Sequence, residues 1–178
     1  DFELGAMVGH SFLKTKSRTS YIDAQNYPSP AFDVASVAAN IVDASAGLSE
    51  YAIESYFARL SLAYKDRYVV NATIRTDGSS RFAPDHRWGH FWSVGASWRI
   101  GAEKFMESTH SWLSELKLRA TYGTQGNEDL ANYYPYTDQY TVTISEGKLG
   151  TEIYYYGNPD LTWEKQKTFD LGLDVGLL

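Results

Sequence analysis

The sequence predicts an all-β protein, a segment of about six antiparallel strands from a transmembrane β-barrel. Three observations predict it. Apolar and polar residues alternate with period two in segment after segment. The connections between these segments alternate between short and long, as in an outer-membrane barrel. Tyr and Trp gather near strand ends, where amphipathic rings meet a membrane–water interface.

The first segment sets Phe2, Leu4, Ala6 and Val8 against Glu3, Gly5 and Met7. It is the weakest of the six. A connection of about 40 residues is expected next, containing Tyr27-Pro28-Ser29-Pro30. The second segment places Tyr56, Ala58, Leu60, Leu62 and Tyr64 opposite Phe57, Arg59, Ser61 and Ala63. After Lys65-Asp66-Arg67 the alternation resumes, with Tyr68, Val70, Ala72 and Ile74 sharing a face. A hairpin closed by those three residues should pair Leu62 with Val70 and Leu60 with Ala72. The fourth segment puts Trp92, Val94, Ala96, Trp98 and Ile100 on one side and Ser93, Gly95, Ser97 and Arg99 on the other. From Gly101 to Glu115, Phe105, Met106 and Trp112 suit a short helix. Leu116, Leu118, Ala120 and Tyr122 then alternate with Lys117, Arg119 and Thr121. The longest connection is expected between Gly123 and Thr162. The sixth segment sets Phe169, Leu171, Leu173 and Val175 against Thr168, Asp170, Gly172 and Asp174. Strands of roughly 10–13 residues exceed the usual soluble length and suit a tilted bilayer crossing.

Composition narrows the function classes. The chain is 43% hydrophobic, which excludes a disordered protein. A net charge of −6 excludes a general nucleic-acid binder, which needs a basic face for phosphates. With no cysteine, disulfides and thiolate metal sites are excluded. No run of 18 apolar residues is present, so the crossing elements are strands rather than helices. Both ends, Asp1-Phe2-Glu3-Leu4 and Gly176-Leu177-Leu178, read as cut from a longer chain. Residues 1–178 are therefore expected to form part of one barrel domain.

Several runs resemble the SusC/RagA-type, TonB-dependent outer-membrane transporters. They are Ser55-Tyr56-Phe57-Ala58-Arg59, Tyr64-Lys65-Asp66-Arg67-Tyr68 and Arg75-Thr76-Asp77-Gly78-Ser79-Ser80-Arg81-Phe82-Ala83-Pro84. Arg87-Trp88-Gly89, Ser97-Trp98-Arg99-Ile100, Leu116-Lys117-Leu118-Arg119-Ala120-Thr121-Tyr122-Gly123 and Gly126-Asn127 follow. Asn158-Pro159-Asp160-Leu161-Thr162-Trp163-Glu164 and Gly172-Leu173-Asp174-Val175-Gly176 complete the set. The order and spacing are more specific than any one run, and the resemblance covers roughly 54–178. It implies a barrel of about 22 strands with an internal plug, in a bacterial outer membrane. It also implies energy from a TonB complex acting through the plug, and a SusD-like surface lipoprotein as lid. The cargo would be an oligosaccharide or peptide. No plug or TonB box is recognised in these residues, and six strands are too few to close a barrel, which takes about eight.

Candidate chemistry is sparse. His86 and His90 suit metal ligation only on a helix, and here they fall on loop and strand. No Gly-x-Ser-x-Gly elbow occurs, and Ser79 and Ser80 read as turn formers. Neither catalysis nor a cofactor is expected. Alternation points Arg59, Arg75, Arg99 and Arg119 into the lumen, along with Asp170 and Asp174. The arginines either guide cargo or grip the plug, or they pair with Asp77, Asp170, Asp174 or Glu164 in a wet interior. The long connection carries Tyr133, Tyr134, Tyr136, Tyr140, Tyr154, Tyr155 and Tyr156. These rings either pack on one another or stack on cargo and lid. The resemblance favours the second. A secreted carbohydrate-binding or adhesive β-domain is the other class the pattern allows.

Overall fold

In a computed structural model, described for residues 1–32 and 34–178, the six alternating segments form one antiparallel sheet. Its strands are β1 (Phe2–Gln25), β2 (Asn40–Tyr64), β3 (Tyr68–Ser79), β4 (Trp88–Arg99), β5 (Leu113–Asn127) and β8 (Glu164–Leu177). They lie in the order β1-β2-β3-β4-β5-β8. A separate hairpin, β6 (Gln139–Ser145) with β7 (Lys148–Tyr155), rises between β5 and β8.

Register keeps every apolar set on one face. Leu62 pairs with Val70 and Leu60 with Ala72, and across the next seam Ala72 pairs with Val94 and Ile74 with Trp92. Ala120 continues the row to Leu171. No residue of this row is buried, and Ile74 and Leu171 are 63% and 66% exposed. A soluble sandwich would cover such a face with a second layer. The buried residues Phe82, Phe91 and Trp163 lie on the opposite face and in the loops above it.

The turn between β2 and β3 is tight. Within the three-residue connection Lys65 and Asp66 both take positive φ, at 52° and 54°, and the Arg67 amide donates to the Tyr64 carbonyl at 3.0 Å, a turn whose twist matches that of the flanking strands. Aromatic rings line the rim at that turn. Phe2 stacks on Tyr64 at 4.4 Å, and Tyr64, Tyr68 and Trp98 follow at 6.3 and 6.2 Å. At the far end of the apolar band, His10, Tyr56 and Trp88 form a second row, with Trp92 against Tyr122 beside it. From Tyr56 to Tyr64 the strand climbs about 27 Å, and less along the membrane normal once tilted. That matches an apolar band about 25 Å tall.

Three expectations are corrected. The connection of about 40 residues is mostly strand, for β1 runs on to Gln25 and β2 starts at Asn40. From Lys14 to Ser20 the residues are polar on both faces, in the run Lys14-Thr15-Lys16-Ser17-Arg18-Thr19-Ser20. Hydrophobic period is therefore blind there, while backbone pairing continues from Lys14↔Ala52 to Gln25↔Asn40. At about 3.3 Å per residue the hairpin extends far beyond a hydrocarbon layer of about 30 Å. Likewise the connection from Gly123 to Thr162 contains the β6–β7 hairpin, turning at Glu146 and Gly147 with φ of 52° and 76°. The helix expected between Gly101 and Glu115 is two short 3-10 turns, Ile100–Ala102 and Lys104–Thr109.

Candidate functional site

The chemistry concentrates at the mouth, on the face opposite the apolar row, where long connections fold back over the strands. The run Asp77–Phe82 ends β3 and opens the β3–β4 connection. Ser79 is fully buried, and the Ser80 hydroxyl accepts from the Ala52 amide at 2.9 Å while the Ser80 amide donates to the Ala52 carbonyl at 2.9 Å. Phe82 is thereby set against Trp163, with Phe91 at the edge of the same indole. The Trp163 Nε1 donates to the Arg87 carbonyl at 2.7 Å, and the Arg87 Nε donates to the Phe82 carbonyl at 3.1 Å. Two glycines make room for this packing. A Cβ on Gly89 would meet Phe91 at 2.6 Å and Trp163 at 2.8 Å, and one on Gly126 would overlap the Phe91 ring. The runs that carry the resemblance, about 80 residues apart in the chain, thus interlock into one small core.

A second cluster ties the next connection to β2. The Arg81 guanidinium lies 4.9 Å from the Tyr51 ring and 5.0 Å from that of Tyr133. Its Nη1 donates to the carbonyls of Glu128 and Leu130 and to the Asp129 carboxylate. The Tyr51 hydroxyl donates to one oxygen of Glu128. Burial, then the Glu128 carboxylate, pushes that phenol well above its ordinary range, so it stays a donor at any physiological pH.

Below this cluster a cavity of about 400 Å³ opens on the same face, between β2, β3, β4 and β5. Arg75 stands in it and is already engaged. Its Nε donates to the nearly buried Asp77 at 2.7 Å, and its Nη2 to the Ser55 hydroxyl at 3.0 Å.

The four arginines do not converge. Arg75 pairs with Asp77 two residues along its own strand, and Arg119 reaches Asp174 at 3.3 Å on β8. Arg99 sits at the tight-turn rim, where its Nη1 donates to the Asp66 carbonyl at 3.4 Å. Among the described residues no carboxylate lies within 4.0 Å of the Arg59 guanidinium. Asp170 accepts from Thr121 at 3.3 Å, and Glu164 accepts from Asn127 at 3.0 Å. The ion pairs these arginines make are local, Arg75 with Asp77 along one strand and Arg119 with Asp174 across one seam. His90 bonds Thr76, and His86 sits in a one-turn helix, so the two do not share a helical face.

The tyrosines divide into two groups. Tyr133 stacks on Tyr51, the Tyr134 hydroxyl accepts from the Glu50 amide at 2.9 Å, and the Tyr155 hydroxyl donates to the buried Pro135 carbonyl. Tyr136 is half-buried. By contrast Tyr140, Tyr154 and Tyr156 are 57%, 63% and 76% exposed. Sequence reasoning missed Tyr51, Arg81, Phe91, Glu128 and Trp163 as parts of the mouth. Only Arg81 and Trp163 lie within the runs that carry the resemblance, and no short-range pattern marks the other three.

At the opposite rim Glu103 caps the lower aromatic row. It accepts from the Tyr68 hydroxyl at 2.6 Å, the Trp98 Nε1 at 3.1 Å and the Arg67 Nη1 at 3.1 Å. Those hydrogen bonds, with Tyr68 first, hold its carboxyl below the usual glutamate value.

Comparison with known proteins agrees with this wall and mouth. The SusC TonB-dependent receptor of Bacteroides thetaiotaomicron is 37% identical over 131 residues, 70% of this chain and 13% of its own. TonB-dependent receptor P26 of Formosa agariphila is 36% identical over 132 residues, covering 72% of this chain and 13% of that one. The chain thus spans about an eighth of the length of these relatives. The RagAB peptide transporter structure superposes with a TM-score of 0.89 at 30% identity, over 99% of this chain and 20% of that one. The same importer in an "open-open" state gives 0.86 over 99% of this chain and 19% of that one, again at 30% identity. A family model described as "TonB dependent receptor-like, beta-barrel" matches residues 1–178, and the chain belongs to that family, in its SusC/RagA-type branch.

Proposed function

We propose that the full protein is a TonB-dependent importer of the bacterial outer membrane, and that these residues supply wall and mouth but no catalysis. Its cargo would be large nutrients, glycans or peptides. A SusD-like surface lipoprotein would deliver them, with energy from the TonB complex. The observation that carries the reading is the unburied apolar row Leu60–Ala72–Val94 between two aromatic rims, which only a bilayer covers without a second protein layer. The relatives add the transport class, and RagAB, a peptide transporter, supports peptides as one class of cargo. At the mouth the exposed rings Tyr140, Tyr154 and Tyr156 are the surface offered to lid or cargo, while Tyr133, Tyr134 and Tyr155 hold that surface in place.

Gene deletion tests the importer reading. The deletion strain should lose growth on at least one class of polymeric nutrient, oligopeptide or polysaccharide, and regain it on complementation. Affinity purification of the full protein from its host membrane should bring down a surface lipoprotein. Unimpaired growth on every such nutrient would overturn the assignment.

A further inference from the structure

Beyond the far aromatic row the sheet narrows to two strands. β3 stops at Ser79, opposite Ile53, while β2 reaches back to Asn40 and is paired there with β1 alone. The side of β2 turned away from β1 is therefore a sheet edge. Its parity is fixed by the last residues bonded on that side. The Ala52 amide donates to the Ser80 hydroxyl and the Ala52 carbonyl accepts from the Ser80 amide, both at 2.9 Å. The Glu50 amide donates to the Tyr134 hydroxyl, also at 2.9 Å. In an antiparallel ladder, residues that bond one neighbour alternate with residues that bond the other. Leu48, Ala46 and Ala44 therefore also aim their amides and carbonyls away from β1, since the register with β1 is unbroken as far as Asp43. Among the described residues nothing bonds those groups, and residues 41–48 are exposed.

Sheet edges are ordinarily guarded by Lys, Pro or a bulge, because an open row of backbone groups pairs with an extended chain. The run Ala44-Ser45-Ala46-Gly47-Leu48-Ser49 contains neither Lys nor Pro, and the bulge of this hairpin lies past it, at Asp23/Ala24. The basic residues of the hairpin, Lys14, Lys16 and Arg18, all stand on β1, across the strand from the edge. Small side chains border the edge, so a guest strand meets little selection by residue type. Along a strand, groups of one parity recur every 6.6–6.8 Å or about that, and an extended peptide presents the same repeat. A glycan carries no such series of paired donors and acceptors.

We propose that the edge of β2 at Ala44, Ala46 and Leu48 binds imported peptide as an added strand, in the lane that β3 leaves after Ser80. This deepens the importer reading and rests on it, and of the two cargo classes it selects peptides.

The test uses the complete importer with its lipoprotein in detergent, and a fluorescein-labelled peptide of about ten residues, alternately Ser and Thr. Binding is read by fluorescence anisotropy. Ala46→Pro should weaken it about tenfold or more, since proline removes the central donor and sets its ring against the guest strand. The pairing with β1 should persist, because the Ala46 amide takes no part in it, and slow amide exchange at Ser45 and Gly47 checks this. In the wild type, saturating peptide should slow exchange at Ala44, Ala46 and Leu48, while Ser45 and Gly47 are slow with or without it. That measurement needs no variant, so misfolding of Ala46→Pro cannot shelter the proposal. Unchanged exchange at the three edge amides overturns it, as does wild-type affinity in Ala46→Pro with the hairpin intact. Failure of the Ser-Thr peptide to bind overturns it too, since backbone pairing requires no particular side chain. If the lipoprotein alone already protects the three amides, the edge belongs to the lipoprotein and the proposal falls. All of these results leave the importer reading intact. It fails separately, when the deletion strain grows normally on every polymer.

Discussion

Trp163 and Arg87, 76 residues apart in the chain, are joined by a 2.7 Å hydrogen bond from the indole nitrogen to the backbone carbonyl. That bond closes the mouth core, because Arg87 in turn holds the Phe82 carbonyl and Phe82 packs on the same indole. Trp163→Ala should therefore release two connections together. Truncating a buried aromatic costs about 3–5 kcal/mol where the site cannot collapse. Hydrogen exchange should accelerate at both 82–87 and 158–163, while the amides of β3 and β4 between Tyr68 and Trp98 stay protected. Exchange that rises at only one of the two connections would show that they are not coupled through the indole. Trp163→Phe should give an intermediate result, since it keeps the ring and leaves the Arg87 carbonyl without its donor.

The two faces of β3 should respond oppositely to charge. Ala72 lies mid-band between Leu60 and Val94, whereas its neighbour Thr73 faces the interior between Arg59 and Ser93. Ala72→Arg should destabilise the full barrel by about 2–4 kcal/mol in lipid, the cost of a cation near the bilayer midplane. Thr73→Glu, directly across from Arg59, should change stability by less than about 1 kcal/mol, since the interior is wet. Denaturant unfolding in lipid vesicles measures both. Equal costs on the two faces would defeat the assignment of lipid and lumen.

The tight-turn rim should loosen as pH falls into the acid range. Hydrogen bonds from Tyr68 and Trp98, with the Arg67 charge, hold the Glu103 carboxyl below its ordinary value of 4.5. A carboxyl depressed in the folded state contributes stability above its unfolded value and loses it as pH falls through the folded one. Amide exchange around Lys65–Tyr68 should therefore quicken as pH falls below about 4.5, where the Glu103 contribution is lost, and should show no Glu103-linked pH dependence from about pH 6 to 8, where that contribution is full. Glu103→Gln should flatten the acid limb. If the wild type and this variant share one acid profile, Glu103 is not the responsible group.

Much of this arrangement was legible in the sequence, and the limits have a physical cause. Wherever one face meets apolar surroundings, the side-chain period of two is written as alternation. Leu60, Leu62, Val70 and Ala72 therefore announced both strand and register. Lys14, Thr15, Lys16 and Ser17 sit on a strand that is wet on both faces, so composition carries no trace of the pairing that continues through them. The mouth was less legible still. Tyr51, Arg81 and Glu128 meet only because three connections fold onto one another. Contacts of that kind depend on the whole path of the chain rather than on any local spacing. The tyrosines were recognised as a group, but their division into anchors and exposed rings rests on single hydrogen bonds such as that of Tyr134 to Glu50.

That division gives the last prediction. Tyr154 and Tyr156 are exposed, and Tyr140 stands exposed beside them on β6. Tyr155, between them in sequence, is half-buried and donates to the Pro135 carbonyl. An isolated two-stranded hairpin is marginal in water, so β6–β7 depends on such anchors for its position. Replacing Tyr140, Tyr154 and Tyr156 together with Ala should leave the hairpin seated, because little of their surface is buried in this chain. It should weaken lipoprotein binding or cargo uptake, each exposed ring at an interface centre being worth about 1–2 kcal/mol or more. Tyr155→Ala and Tyr134→Phe act on the other side of the division. Each should raise protease cleavage near Glu146-Gly147, by freeing the hairpin, before any effect on barrel assembly. Barrel assembly itself should survive all of these changes, since a surface connection holds little of the wall together. Two measurements decide the matter, limited proteolysis of the intact importer and co-purification of its lipoprotein. If the exposed triple variant binds lipoprotein and takes up cargo as the wild type does, those rings are not the contact surface. If Tyr155→Ala leaves the cleavage rate unchanged, the anchoring role fails independently.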